Sequence, residues 1–198
     1  MPRIVNDVTK TETHQGADGI DFFDAQGNSG DFTLSIENDG TIKMVSDFFP
    51  LAPDTLRGIE RVQFSDGVLA FDDYGKAGQA YRLYQAAFDR KPDAEGLGFW
   101  IDNYDKDNVD LVEMAGYFMQ SAEFAEKYGP SEGLSDQAYL TLLYNNVLDR
   151  DPDQAGFDFW RDQQGNGLSR ADMLQYFSES TENNLNVATA ISDGIWYT

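Results

Sequence analysis

The chain has 198 residues, 14 basic against 35 acidic side chains, and a formal net charge of -21 at pH 7. That field repels phosphate backbones and excludes nucleic acid as a partner, and no apolar stretch is long enough for membrane insertion. With no cysteine and one histidine, His14, the chain lacks disulfides, thiol nucleophiles, zinc–thiolate sites and Ser-His or Cys-His catalysis.

Residues 1–29 are polar and read as a Gly/Asp-rich turn region. Its start, Met1-Pro2-Arg3-Ile4-Val5-Asn6-Asp7, has no apolar core of a cleavable signal peptide, so export is expected by another route. Asp18, Asp21, Asp24 and Asp31, with Asn28, are candidate calcium ligands, since hard cations take carboxylate and carbonyl oxygens.

Strand signals follow. Phe32, Leu34 and Ile36 alternate before the turn Asn38-Asp39-Gly40, and Ile42 and Met44 follow it. Alternation around Asp-Gly predicts a hairpin, and Arg61 to Phe71, around Asp66-Gly67, predicts a second. Phe48 to Pro53 is an irregular apolar connection between them, a candidate lid over the sheet. Residues 1–73 are thus expected as a small antiparallel β domain, with a polar linker over Asp72 to Gln79.

From Gln79 the period becomes helical. Ala80, Leu83, Tyr84, Ala87 and Phe88 mark one buried helix face, and Leu111, Met114, Ala115 and Phe118 mark another. Asp110 with Glu113, and Ser169 with Asp172, read as capping boxes. Ser135 reads as an N-cap after the break at Gly129 to Gly133, and the tail from Asn183 starts helical and ends in Ile195-Trp196-Tyr197-Thr198.

One phrase occurs twice: Asp-Arg-x-Pro-Asp-x-x-Gly-x-x-Phe-Trp runs from Asp89 to Trp100 and again from Asp149 to Trp160. Pro92 and Pro152 end the preceding helix near Arg90 and Arg150, because proline pushes the residue before it out of helical space. Asp93 and Asp153 then cap the next helix. Gly96 and Gly156, unfavourable inside a helix, suggest close backbone approach between helices. The expected fold class is α+β: the β domain, then an all-α domain over 79–198, built of helix–corner–helix copies at about 79–128 and 138–187.

Asp149, Asp151 and Asp153 alternate like the start of an EF-hand, but Gln154 and Trp160 stand where it needs glycine and an acid. They are retained as candidate calcium ligands, with capping the main role for Asp153. Trp100 and Trp160 are expected in the core, whereas Trp196 and Tyr197, outside the repeat, are the candidate platform for a sugar. No constellation distinguishes a catalytic residue, so none is expected.

The stretch Leu56 to Gly67, with Gly58-Ile59-Glu60-Arg61-Val62-Gln63-Phe64-Ser65-Asp66-Gly67 at its heart, resembles a segment of bacterial RTX-type, haemolysin-like exported proteins. The duplicated unit resembles a helical domain of unknown function often placed beside it, itself similar to phycobilisome linker domains. The resemblance implies a secreted or surface-displayed protein in adhesion, surface-layer or matrix roles, often calcium-associated, without catalytic residues. The Gly-Gly-x-Gly-x-Asp array that carries RTX calcium is not present here. The expectation is therefore a non-enzymatic, extracellular adhesion module for cell-surface or capsular polysaccharide or an envelope protein. Its alternative is a spike or decoration protein of a phage-like, gene-transfer-agent-like particle or surface layer.

Overall fold

The computed structural model describes residues 3–7, 10–48 and 52–198. Where a turn region is expected, the chain instead makes three short strands: β1 (Arg3–Val5), β2 (Thr13–Gln15) and β3 (Phe22–Asp24). Both expected hairpins then form. β4 (Phe32–Ile36) pairs antiparallel with β5 (Ile42–Ser46), with Ile36 opposite Ile42. Gly40 supplies the positive φ of 79° that the turn requires. After β6 (Asp54–Arg57), β7 (Arg61–Gln63) pairs antiparallel with β8 (Val68–Ala70). Of the candidate lid, Phe49 to Leu51 lie outside the described residues.

The β unit is not the purely antiparallel sheet that its hairpins suggest. β1, β3 and β7 run parallel in one sheet and β2 and β6 run parallel in a second. The chain reaches a parallel neighbour without a helix because it crosses to the opposite sheet and returns, coiling by one rung each time. Ile4, Phe23 and Val62 stack in register on one side, and His14 and Leu56 on the other. Between the sheets Phe23, Leu56 and Val62 are fully buried, with Ile42, Met44 and Phe64 beside them.

The rungs carry a second internal repeat. Gly19-Ile20-Asp21-Phe22-Phe23 recurs as Gly58-Ile59-Glu60-Arg61-Val62, one rung on and in register. Both glycines have positive φ, 102° and 58°. Glu60 Oε2 accepts from Asp21 N–H at 2.9 Å, and the Asp21 carbonyl accepts from Arg61 N–H at 3.1 Å. Arg61, fully buried, pairs with Asp72.

The second unit spans Tyr74–Ala190. Its helices are α1 (Lys76–Phe88), α2 (Ala94–Asp105), α3 (Leu111–Gln120), α4 (Ala122–Tyr128), α5 (Asp136–Leu148), α6 (Gln154–Gly165), α7 (Arg170–Ser178) and α8 (Thr181–Ile191), four to each copy. The faces expected on α1 and α3 are buried in full, both capping boxes form, and Ser135 caps α5. α1 packs against helices of both copies, and the equivalent helices α3 and α7 lie against each other.

The tail is a correction to the expected domain limits. Beyond α8, Gly194 turns the chain at φ 97°, and β9 (Ile195–Tyr197) joins the edge of the β unit, antiparallel to β8. Residues 191–198 therefore belong with residues up to 73 rather than with the helices.

A buried ion pair ties the helical copies together. Arg82 on α1, 2% exposed, donates from Nε and Nη2 to both carboxylate oxygens of Glu179 at the end of α7, at 2.8 and 2.7 Å. Removing one partner of such a pair strands a buried charge, whereas replacing both with apolar groups does not. Glu179→Ala should lower the unfolding free energy by about 3 kcal/mol in denaturant titration. Arg82→Met with Glu179→Leu should return it to within about 1 kcal/mol of wild type. An equal loss in both would refute the assignment.

Candidate functional site

The duplicated phrase builds a corner whose parts can be read one by one. Helix α1 ends at Asp89, and α5 at Asp149, each with left-handed φ, 48° and 51°. Arg90 grips Glu123 at the start of α4 through Nε and Nη2, at 2.6 and 2.9 Å. Arg150 grips Glu182 at the start of α8 at 2.8 and 3.1 Å. Each guanidinium also lies over a tyrosine ring, 5.0 Å from Tyr84 and 4.9 Å from Tyr144. Asp93 and Asp153 cap α2 and α6, accepting from Gly96 N–H at 2.7 Å and Gly156 N–H at 2.8 Å.

The glycines serve a different end from the helix–helix approach expected of them. A Cβ on Gly96 would lie 2.8 Å from the capping carboxylate of Asp93, and one on Gly156 would collide with the Tyr144 hydroxyl. They make room for the corner's own side chains rather than for a second backbone. Pro92 and Pro152 lie between clasp and cap.

The aromatic end of the phrase also departs from expectation. Trp100 and Trp160 are half-buried rather than core. Trp100 packs edge-on against Phe118 at 5.0 Å, and Trp160 lies 5.0 Å from Phe177. Each indole then spreads toward two rings that face water. In the first copy these are Phe99 at 5.2 Å and Tyr117 at 5.8 Å; in the second, Phe159 at 5.2 Å and Tyr176 at 6.2 Å. Phe99, Tyr117, Phe159 and Tyr176 are 59%, 56%, 54% and 53% exposed. Large rings held open to solvent at two matching positions in each copy are the candidate interaction surface. Sequence periodicity could have found the tyrosines, because each immediately precedes the buried Phe118 or Phe177 and so points off the core face.

Trp196 and Tyr197 do not make the platform expected of them. Tyr197 is buried, and Trp196 is half-buried across Gly67, its ring 6.1 Å from Phe64. As members of β9 they close the β unit. The outlying position in sequence hid a strand pairing that only folding reveals.

The seven candidate calcium ligands are dispersed. Asp21 is buried and accepts from Ala17 N–H at 2.5 Å; Asp24 accepts from Gln26 N–H at 3.1 Å and Asp31 from Asn28 N–H at 2.9 Å. Asp18 is exposed. Asp149 ends α5, Asp153 caps α6 and Asp151 is exposed between them. Among the described residues no group of three or more His, Asp or Glu side chains is disposed to hold a metal ion. No described helix is long and apolar enough to cross a membrane.

The fold defines an α+β protein with a helical repeat. Residues 115–187, from within α3 to within α8, match the family described as a domain of unknown function, DUF4214. No curated protein and no solved structure matches the chain.

The corner is electrostatically tuned. Its hydrogen bonds from Gly96 N–H and the Tyr84 hydroxyl hold the Asp93 carboxyl below the usual carboxylate range, and Arg150 does the same for Glu182. A depressed carboxyl stabilises the fold above its unfolded pKa, near 4, and that stability is lost as pH falls through the folded value. The melting temperature should therefore drop on acidification below about pH 4. Asp93→Asn, which keeps a capping acceptor, with Glu182→Gln should shallow that drop. An unchanged acid limb would show that these carboxylates do not control it.

Proposed function

We propose that this protein is a non-enzymatic binding module, displayed outside the cell, that recognises polysaccharide through the paired aromatic surfaces of its helical repeat. The observation that carries the reading is the duplicated aromatic triad, Phe99-Trp100-Tyr117 and Phe159-Trp160-Tyr176, whose phenylalanines and tyrosines are exposed around a half-buried indole. The other singled-out residues of the phrase have a place in the corner: arginine clasps, proline breaks, aspartate caps and glycine clears. The exposed phenylalanines take no part in that corner.

An aromatic face is electron-rich and meets the C–H bonds of a pyranose ring, while the tyrosine hydroxyl remains free to exchange hydrogen bonds with sugar hydroxyls. The net charge of -21 favours neutral over uronate-rich polymers. The resemblance of Gly58 to Gly67 to RTX-type exported proteins supports a place at the cell surface.

Glycan-array binding followed by titration tests the reading. Phe99→Ala and Phe159→Ala should each weaken binding about tenfold, ~1.4 kcal/mol. Tyr74→Ala, an exposed aromatic outside both triads, should leave it unchanged. Absence of any retained glycan, or wild-type binding by the phenylalanine variants, would refute the proposal.

A further inference from the structure

The first corner holds a cation that the second lacks. Helix α1 ends on Asp89 in left-handed backbone, and the last carbonyls of a helix have no helical donor to receive. Lys127 on α4 fills that gap. Its ammonium donates to Phe88 O at 2.7 Å, to the Asp89 carboxylate at 3.1 Å and, at 3.5 Å, toward Asp89 O. The helix dipole favours a positive charge at this end as well.

The second corner keeps the cradle and loses its occupant. Asp149 has the backbone of Asp89, φ 51° and ψ 39° against φ 48° and ψ 47°. Arg150 fixes the start of α8 through Glu182 as Arg90 fixes the start of α4 through Glu123. Asn186 follows Glu182 at the same interval as Lys127 follows Glu123, and so takes the lysine's place. It donates from Nδ2 to Val147 O at 3.5 Å, longer than the usual hydrogen bond. Among the described residues no group donates to Leu148 O, Asp149 O or the Asp149 carboxylate.

Charge changes in the same sense. Asp89, Arg90, Lys91, Asp93, Glu123 and Lys127 carry three positive and three negative charges, which cancel. Their counterparts Asp149, Arg150, Asp151, Asp153, Glu182 and Asn186 carry one positive and four negative, a net -3. The exchange of lysine for asparagine also turns a group that can only donate into one whose amide oxygen can act as a ligand.

We propose that the second corner binds a calcium ion where the first holds the Lys127 ammonium. The ligands are Leu148 O, Asp149 O, the Asp149 carboxylate and the Asn186 amide oxygen, a hard oxygen set that water completes. Most of these are neutral oxygens, so the site needs no cluster of acidic side chains. A single carboxylate makes it a weak site, with a dissociation constant on the order of 10⁻⁴–10⁻³ M. The inference is independent of the saccharide reading, which rests on the exposed rings.

Calorimetric titration of the chelator-treated protein with calcium chloride tests it, in about 0.15 M potassium chloride to screen diffuse attraction to the net charge. One site per chain should appear, and magnesium chloride should bind at least about tenfold more weakly because magnesium gives up its waters reluctantly. Asn186→Lys, which supplies the first copy's own cation, should abolish the site. Gln137→Lys, the same charge change at the exposed start of α5, should leave it intact. The reverse exchange, Lys91→Asp with Lys127→Asn, should raise the count to two ions per chain. A wild-type protein that takes up no calcium would overturn the proposal. So would calcium uptake that Asn186→Lys leaves unchanged or that Gln137→Lys removes equally, or a folded reverse-exchange variant that still binds one ion.

Discussion

A guanidinium held from several directions organises each helical copy. Arg90 takes both oxygens of Glu123, lies against the face of Tyr84 and stands 3.6 Å from Asp93. Arg150 repeats these contacts with Glu182, Tyr144 and Asp153. A planar, permanently charged group can satisfy a bidentate carboxylate and an aromatic face together, which lysine cannot. These contacts set the end of one helix, the cap of the next and the start of the fourth relative to one another. The exit angle of α2 and α6 follows, and with it the position of the tryptophan. A half-exposed pair of this kind contributes little taken alone. Its importance is geometric: it selects one corner among several that Pro92 and Pro152 would permit.

The two units solve burial differently. The helical unit hides its apolar faces by packing two copies around α1, with Arg82 and Glu179 joining them. The β unit has strands of only three to five residues, too short to form a stable sheet alone. It gains depth by coiling, so that Phe23 and Val62 stack behind one another and Leu56 faces them. Turn glycines at positive φ let successive rungs stay in register, and the bond from Asp21 to Glu60 links one turn to the next. The chain is thus duplicated twice, on two structural principles, and the helical duplication leaves aromatic rings in water at matching positions.

The aromatic surfaces are informative because the same phrase explains their neighbours. Trp100 and Trp160 bury one side on Phe118 and Phe177, which holds each indole at a fixed height above the core. Phe99 and Phe159 project from the same helical turn with no such support. Singly exposed apolar side chains are ordinary, but finding rings exposed twice at equivalent positions separates these from scattered surface apolars.

Much of the fold follows from local chemistry that is visible in the chain itself. The Asp-Gly hairpin turns, the buried faces of α1 and α3, the capping boxes and the corner at Pro92 and Pro152 depend on residues within a few positions of one another. So do the duplication and the α+β class, and short-range backbone physics was sufficient for them. Elsewhere the deciding contacts join distant parts of the chain. Trp196 and Tyr197 looked free because nothing near them in sequence shows that β8 receives them as a strand. The first three strands were hidden in a Gly/Asp-rich stretch, because three-residue strands carry almost no periodicity and form only when a parallel neighbour covers them. Of the candidate calcium acids, Asp21, Asp24, Asp31 and Asp153 are drawn into local backbone hydrogen bonds. Composition and spacing determined which corners, caps and turns this protein contains. Tertiary packing alone decided which rings stayed in water, because exposure is what remains after every distant contact has been made.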